Sequence, residues 1–498
     1  MRTSGILMPV FSLPSPYGIG TFGKAAFDFV DFLSEAGQTF WQILPLHPTG
    51  YGDSPYQTLS TFAGNPYFID PVLLTEEGLL TNEELQRFDF GENAAHIDYG
   101  KLYESRFWLL RLAHRRFRNT PPQDYSVFCR QNTDWLPDFS LFMAIKRQEN
   151  EVCWADWRKE WRNRDPDTLA LARKTLAEEI DFWSFLQYEF FSQWYSLKHY
   201  ANSRGIRIIG DVPIYVAYDS AEVWCEPKQF LLNPDGIPYR VAGVPPDGFS
   251  ENGQLWGNPL YDWNRMQSEP EPFSWWKRRI RHALKLYDRI RIDHFRGFAS
   301  YYSIPFGETT AKNGRWEEGP GISFFRALEN ACGSLPFIAE DLGFLTPDVE
   351  HLLKETGFPG MKVLQFAFDS REESDYLPHR YTQNSVVYTG THDNDTILGW
   401  ERSAPKSDVE TARRYMHADG REGLNWTMIR TAMMSVSDTA IFMMPDLVGQ
   451  GSEARINTPA TAVGNWSWRL NGNCLNSWLA GIMRDMTALY GRIPQDQS

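Results

Sequence analysis

Cysteine is scarce in this 498-residue sequence: Cys129, Cys153, Cys225, Cys332 and Cys474 stand far apart, with no CxxC pair. Sparse, odd-numbered usage argues against a disulfide scaffold or a cysteine-based zinc site. It points instead to reduced thiols and a cytoplasmic setting. No apolar run approaches the length of a membrane span, and residues 1–9 lack the apolar core of a signal peptide. Excess positive charge is also missing. A formal net charge of -14 argues against binding a phosphate backbone as the main task. The one notable basic cluster, residues 277–281, falls in a helix-like stretch, 274–287. There Trp276, Ile280, Ala283 and Tyr287 form an apolar stripe, so the basic residues are expected on a solvated face.

Several catalytic signatures are absent too. There is no HExxH, no Walker phosphate loop and no GxSxG elbow. Gly18, Gly20 and Gly23 match GxGxxG, but residues 13–17 separate them from the preceding apolar run, and the next run ends in Pro45-Leu46-His47 rather than an acid. A glycine turn leading into a helix explains the match better than a dinucleotide site.

Aromatics are plentiful, at 15% of residues, within an ordinary folded balance of 42% hydrophobic and 22% charged residues. Much of this must be core. Tryptophan and tyrosine also offer flat apolar faces with polar edges, which suit a sugar ring. Eight short apolar runs, 6–11, 39–46, 206–212, 290–294, 336–341, 362–368, 385–390 and 439–445, each end in polar, Gly or Pro residues. Most precede a helix-like segment. Eight buried parallel strands fit a closed (β/α)₈ barrel better than an open sheet. Residues 24–35 read as a helix stopped by Gly37. Thr346, Pro347 and Gly357 read as the cap, first turn and stop of another.

We therefore expect one α/β catalytic barrel over 1–498. Residues 70–200 should form a largely helical insertion, and 219–263, rich in Gly, Pro, Asp and Asn, irregular loops over one end. The stretch after Gly449 is short and closes on a helix-like segment, 475–489, so no C-terminal β-sandwich is expected.

Acidic residues recur where the runs end: Asp211 in GDVPIYV, Asp293 in RIRIDHFRG, Glu340 in FIAEDLG and Asp393 in YTGTHDND. A lone Asp at a strand end is usually a turn or cap residue. Four such ends converge on one mouth in a barrel, and here they are flanked by Arg291, His294, Arg296, His392 and Tyr215. Paired carboxylates in a polar pocket are the tools of glycoside chemistry. A separation of about 5 Å would imply a covalent intermediate, and one of roughly 6.5–9.5 Å inversion.

The fragments GILMPVFSLPSPYGIG, LPLHPTGYGDSPYQ, GDVPIYV, GQLWGNPLYDW, RIDHFRG, FIAEDLG, GMKVLQFAFD, YTGTHDNDT and FMMPDLVG run in order along nearly the whole chain. Together they resemble the 4-α-glucanotransferases known as amylomaltases or disproportionating enzymes, related to the α-amylase group. The resemblance implies a retaining double displacement on α-1,4-glucans (maltodextrin, amylose or starch), with another glucan or glucose as acceptor and ring closure on long donors. It implies Asp293 as nucleophile, Glu340 as acid/base and Asp393 as the third carboxylate, with Asp395 supporting the loop. Arg291, two residues before Asp293 on one strand face, should favour its ionised form.

The same resemblance makes His294 and His392 partners of sugar hydroxyls, although His294 also reads as a supporting residue behind them. Asp211 and Tyr215 would order the donor subsite, and Tyr56 would be a further glucan contact. Trp256 would belong to a mobile loop over the acceptor groove. No cofactor and no metal are expected, since the covalent intermediate conserves the donor bond and no calcium loop stands out. The carboxylates alone fit an α-glucan hydrolase equally well, and a non-catalytic glucan-binding protein is an alternative of another class.

Overall fold

The computed structural model describes residues 2–493 except 92, 247–249, 344, 372–373 and 462. Residues 92 and 247–249, inside the two expected insertions, and the two chain ends of the 1–498 unit thus lie outside the described residues. The described residues form twelve strands: β1 (Thr3–Leu7), β2 (Phe40–Gln42), β3 (Arg207–Val212), β4 (Arg240–Val244), β5 (Gln254–Pro259), β6 (Arg289–Ile292), β7 (Ser300–Pro305), β8 (Arg315–Glu318), β9 (Phe337–Ala339), β10 (Gly360–Val363), β11 (Ser385–Tyr388) and β12 (Thr439–Met443). Eight of them close a parallel barrel in the order β1-β12-β11-β10-β9-β6-β3-β2. These eight coincide with the eight apolar runs, because strands walled in by helices are buried on both faces and carry little polar alternation.

Strand ends move for identifiable reasons. The run 6–11 yields a strand that stops at Leu7, since Pro9 offers no N–H to the ladder and residues Val10–Ser12 turn into a 3₁₀ helix. The run 362–368 likewise leaves the sheet at Val363 and turns through Leu364–Phe366. The helix Lys24–Glu35 ends at Gly37, whose φ of 67° lies in the left-handed region that glycine tolerates. In the helix Pro347–Thr356 the residue at the N-cap is Thr346, but its hydroxyl does not cap: it accepts a hydrogen bond from Arg296 Nη2 at 3.3 Å.

Between β2 and β3 the chain forms helices that include Tyr99–Phe117, Leu136–Gln148 and Ala177–Ser203. The last runs for 27 residues, and its Trp194 indole donates to Leu286 O at 3.2 Å, tying this helical region to the barrel. Trp41, Trp194, Trp224, Trp275 and Trp276 are all fully buried, so much of the aromatic surplus is core. The five cysteines are free and half-buried. Among the described residues no helix is long and apolar enough to cross a membrane.

Two features depart from the sequence reading. Residues 219–263 were expected to be irregular, yet they supply β4 and β5 to a four-stranded antiparallel sheet, β5-β4-β7-β8. Gly243 explains why this was hidden. A Cβ there would lie 2.2 Å from Gln254 O, so close strand approach at a register shift demands a residue that otherwise reads as loop. The basic cluster is also not uniformly solvated. Arg279, on the helix Ser274–Leu286, is buried over the Trp276 ring and donates to Pro213 O and Ile214 O at 2.6 and 3.1 Å. It pins the backbone just after β3.

Gly210 in β3 faces the buried Tyr287 ring, and a Cβ there would sit 2.1 Å from Tyr287 Cγ. Gly210→Ala should lower unfolding stability by about 1–3 kcal/mol through overpacking. A urea midpoint equal to that of the unsubstituted protein would contradict this packing.

Candidate active site

The site lies where β3, β6, β9 and β11 end. β6 pairs with both β3 and β9, and the ladder continues past the strands: Asp293 N–H donates to Val212 O at 3.1 Å and Glu340 N–H to Ile292 O at 3.0 Å. Asp293 and Glu340 therefore occupy neighbouring strand ends and share one mouth.

Arg291 organises the charge. Its Nη1 lies 2.9 and 2.7 Å from the two oxygens of Asp211 and 2.9 Å from Asp293 Oδ1. The side chains of Arg291 and Asp211 are 5% and 0% exposed, whereas that of Asp293 is 26% exposed. Period-2 alternation on β6 puts Arg291 and Asp293 on one face, and the buried Asp211 balances the cation from the side. Burial alone would lower the Arg291 pKa. The carboxylates of Asp211 and Asp293 outweigh it and hold the guanidinium charged. One carboxylate thus neutralises the cation from within the protein while the other meets solvent.

Glu340 is set up differently. Its Oε2 accepts the His294 amide at 2.7 Å and its Oε1 the Leu342 amide at 3.0 Å. Burial pushes its pKa up to about 7, with Arg291 opposing and Asp293 reinforcing the shift. His294 aims its amide by adopting a left-handed backbone, φ 49° and ψ 50°, which is uncommon for a residue with a side chain. Burial lowers the His294 pKa to about 4, so the ring is neutral near pH 7, and its Nε2 is buried without a hydrogen-bond partner. Buried polar nitrogens are normally hydrogen-bonded, so this one stands out.

The opposite wall comes from the loop after β11. Asp393 is about half exposed; its Oδ1 accepts Asn457 Nδ2 at 2.6 Å, and its Oδ2 lies 3.5 Å from His392 Nε2. Asp395 is engaged otherwise, accepting the Thr396 amide at 2.8 Å and the Ser452 hydroxyl at 2.7 Å. Asp341, beside Glu340, is buried and accepts the Met361 amide at 2.6 Å. Tyr56 reaches in from the loop after β2. Its hydroxyl donates to Asp211 Oδ2 at 2.8 Å, and its ring stacks on His392 with centroids 5.0 Å apart.

Trp256 corrects an expectation. It lies not on a loop but in β5, half-buried, with its ring edge-on to His294 at 4.9 Å and 6.3 Å from Tyr215. Pairing with β4 holds it, and Gln57 Nε2 donates to its carbonyl at 3.3 Å. Tyr215 is buried and stacks on Tyr261. The ten residues given catalytic or substrate roles in the sequence lie in one linked network; Arg296, named beside them, instead donates to the Thr346 hydroxyl and lies over the Trp316 ring. Sequence reasoning missed Gln57, Asn457, Trp466 and Arg279. Gln57 was the neighbour of Tyr56 in DSPYQ, but nothing in the local pattern marks Asn457 or Trp466. Trp466 packs on both Tyr56 and His392. Among the described residues no three His, Cys, Asp or Glu side chains converge as a metal-holding group.

Comparison with known proteins gives a consistent result. The family model Glyco_hydro_77, described as 4-alpha-glucanotransferase, matches residues 8–475. The 4-alpha-glucanotransferase of Clostridium butyricum is 48% identical over 487 residues, covering 97% of this chain and 100% of that protein. The Thermus thermophilus protein of the same name is 47% identical over 480 residues, covering 94% and 95%. Amylomaltase from Streptococcus agalactiae, solved in complex with acarbose, superposes with a TM-score of 0.96 at 42% identity, covering 99% of this chain and 100% of that one.

Removing the cation should isolate two buried or half-buried acids. Arg291→Met is expected to lose about 3–5 kcal/mol of stability because Asp211 is left without its counter-ion. Asp211→Asn combined with Arg291→Met should recover part of that loss in thermal unfolding. A double variant less stable than the sum of the two single changes would contradict the pairing.

Proposed function

The chain belongs to the 4-alpha-glucanotransferase family, and on that premise we propose that Asp293 is its nucleophile, Glu340 its acid/base and Asp393 the carboxylate that holds the reacting sugar. The enzyme transfers α-1,4-glucan segments from a donor glucan to another glucan or to glucose. In the first step Asp293 attacks the anomeric carbon as the bond to the leaving O4 breaks, and Glu340 gives its proton to that oxygen. In the second, the acceptor 4-hydroxyl gives its proton to Glu340 while its oxygen displaces Asp293. The configuration is retained because two displacements occur at one carbon.

The observation that carries this reading is the unequal treatment of two adjacent acids. Asp293 is ion-paired with a buried guanidinium, whereas Glu340, also half-buried, accepts two backbone amides and has its pKa raised by desolvation to about 7. Opposite environments suit a charged nucleophile and a proton donor at one pH. His294 Nε2 and His392 would bond ring hydroxyls, with Tyr56, Asp211 and Tyr215 ordering the donor side. Trp256 on β5, with Gln57 bonded to its carbonyl, would form the acceptor platform. Transfer prevails over hydrolysis where an acceptor sugar, rather than water, reaches the intermediate. In this reading 1–498 works as one catalytic unit, 70–200 buttresses the donor side and 219–263 walls the acceptor side. The five free thiols suit a cytoplasmic enzyme.

With maltotriose, longer and shorter chains should appear while total reducing ends stay nearly constant; a proportional rise in reducing ends would assign the chain to hydrolysis. Asp293→Asn should lower kcat by at least about a thousandfold, with unfolding stability largely retained. Turnover within tenfold of the unsubstituted enzyme would exclude Asp293 as nucleophile.

The pH profile gives a second check. Because the Glu340 pKa is raised, the proton donor survives to about pH 7 and is lost above it. The expected kcat/KM for maltotriose therefore falls on an alkaline limb centred near pH 7, steepening to about tenfold per pH unit. A flat profile to pH 9 would contradict the assignment of Glu340.

A further inference from the structure

At the opposite end of the barrel, where the strands begin, lies a cavity of about 620 Å³ unconnected with the residues assigned above. Its floor includes Arg207, at the start of β3, and Arg289, at the start of β6. Register places Phe40 beside Arg207 and Ile209 beside Arg289, so both guanidiniums flank the Phe40 ring, at 5.8 and 5.0 Å from its centroid. Among the described residues neither makes a hydrogen bond or an ion pair. Three acids line the same cavity. Glu355 stands 3.6 Å from Arg326 and 3.4 Å from His351, Glu329 projects from the helix Gly321–Cys332, and Asp438, which accepts Gln383 Nε2 at 3.3 Å, acts on Arg289 through space without forming an ion pair with it.

Two unpaired like charges over one ring are unfavourable unless something anionic enters between them. In a chain of net charge -14, a pair of arginines facing a cavity with neither guanidinium in an ion pair among the described residues is unexpected for mere solubility. Guanidiniums present planar forks of donors that match oxyanions, and a phosphoryl group, with several oxygens and up to two charges, can serve two forks at once. Ile322, Phe325 and Phe358 add apolar wall, so the cavity has room for a body attached to the anion. We propose that this floor cavity is a second ligand site, which takes the phosphoryl group of a small phosphorylated molecule between Arg207 and Arg289. Burial and the neighbouring Arg207 lower the Arg289 pKa, Asp438 offsets them only in part, and a bound dianion would relieve the effect of Arg207.

The probe is inorganic pyrophosphate, titrated calorimetrically into the full-length protein at constant ionic strength. One site per chain is expected, with affinity reduced at least tenfold in Arg207→Gln and in Arg289→Gln. Both variants should keep kcat and KM for maltotriose within twofold, because the cavity lies at the far end of the barrel from the catalytic mouth. Arg207 is exposed at a strand start, so Arg207→Gln decides the matter if Arg289→Gln fails to fold. No binding by the unsubstituted protein, or equal affinity in Arg207→Gln, would overturn the proposal. Succinate binding as tightly as pyrophosphate would overturn the phosphoryl assignment.

Discussion

A single buried guanidinium sets the terms for the catalytic mouth. Arg291 lies between Asp211, which is wholly enclosed, and Asp293, which is partly open to solvent. Without Asp211 the cation would bind Asp293 alone; without Arg291 two acids would compete for one small volume. The arrangement sets one oxygen of the Asp293 carboxylate against the cation. Tyr56 completes it by donating to Asp211 and passing the same geometry to His392 through ring stacking. The Tyr56–His392 wall is thereby coupled to the charge beside Asp293.

Glu340 depends on that cation indirectly. Its backbone is held to the end of β6 and to the turn after it: its own amide donates to Ile292 O, and its carbonyl accepts the Phe295 amide. The His294 amide that meets its carboxylate is available only because residue 294 turns left-handed directly after Asp293. One local backbone distortion thus orients two functional groups, the Glu340 carboxyl and the His294 ring. The surrounding ladder holds this strain in place.

Much of this was legible in the sequence, and what was not has physical reasons. Eight apolar runs revealed eight barrel strands, because buried parallel strands need no polar alternation. Acids at four strand ends revealed the mouth, because barrel closure brings those ends together. The antiparallel sheet containing Trp256 was hidden by Gly243, where close approach excludes any side chain, so a strand reads as loop. Arg279 was hidden by its neighbours: a basic run on an amphipathic helix looks solvated, and only the packing against Trp276 and the carbonyls after β3 makes it internal. Asn457 and Trp466 come from a segment without strand or helix periodicity, and only the folded chain brings them to Asp393 and His392.

The central claim is that Asp293 becomes covalently bonded to the sugar. It is tested most directly by incubating Glu340→Gln with α-maltosyl fluoride, whose leaving group needs no proton, and locating the adduct by peptide mass spectrometry. The account predicts a maltosyl ester on the peptide containing Asp293. An adduct on Asp211 or Asp393 instead, or fluoride release that never passes through a protein-bound sugar, would contradict it.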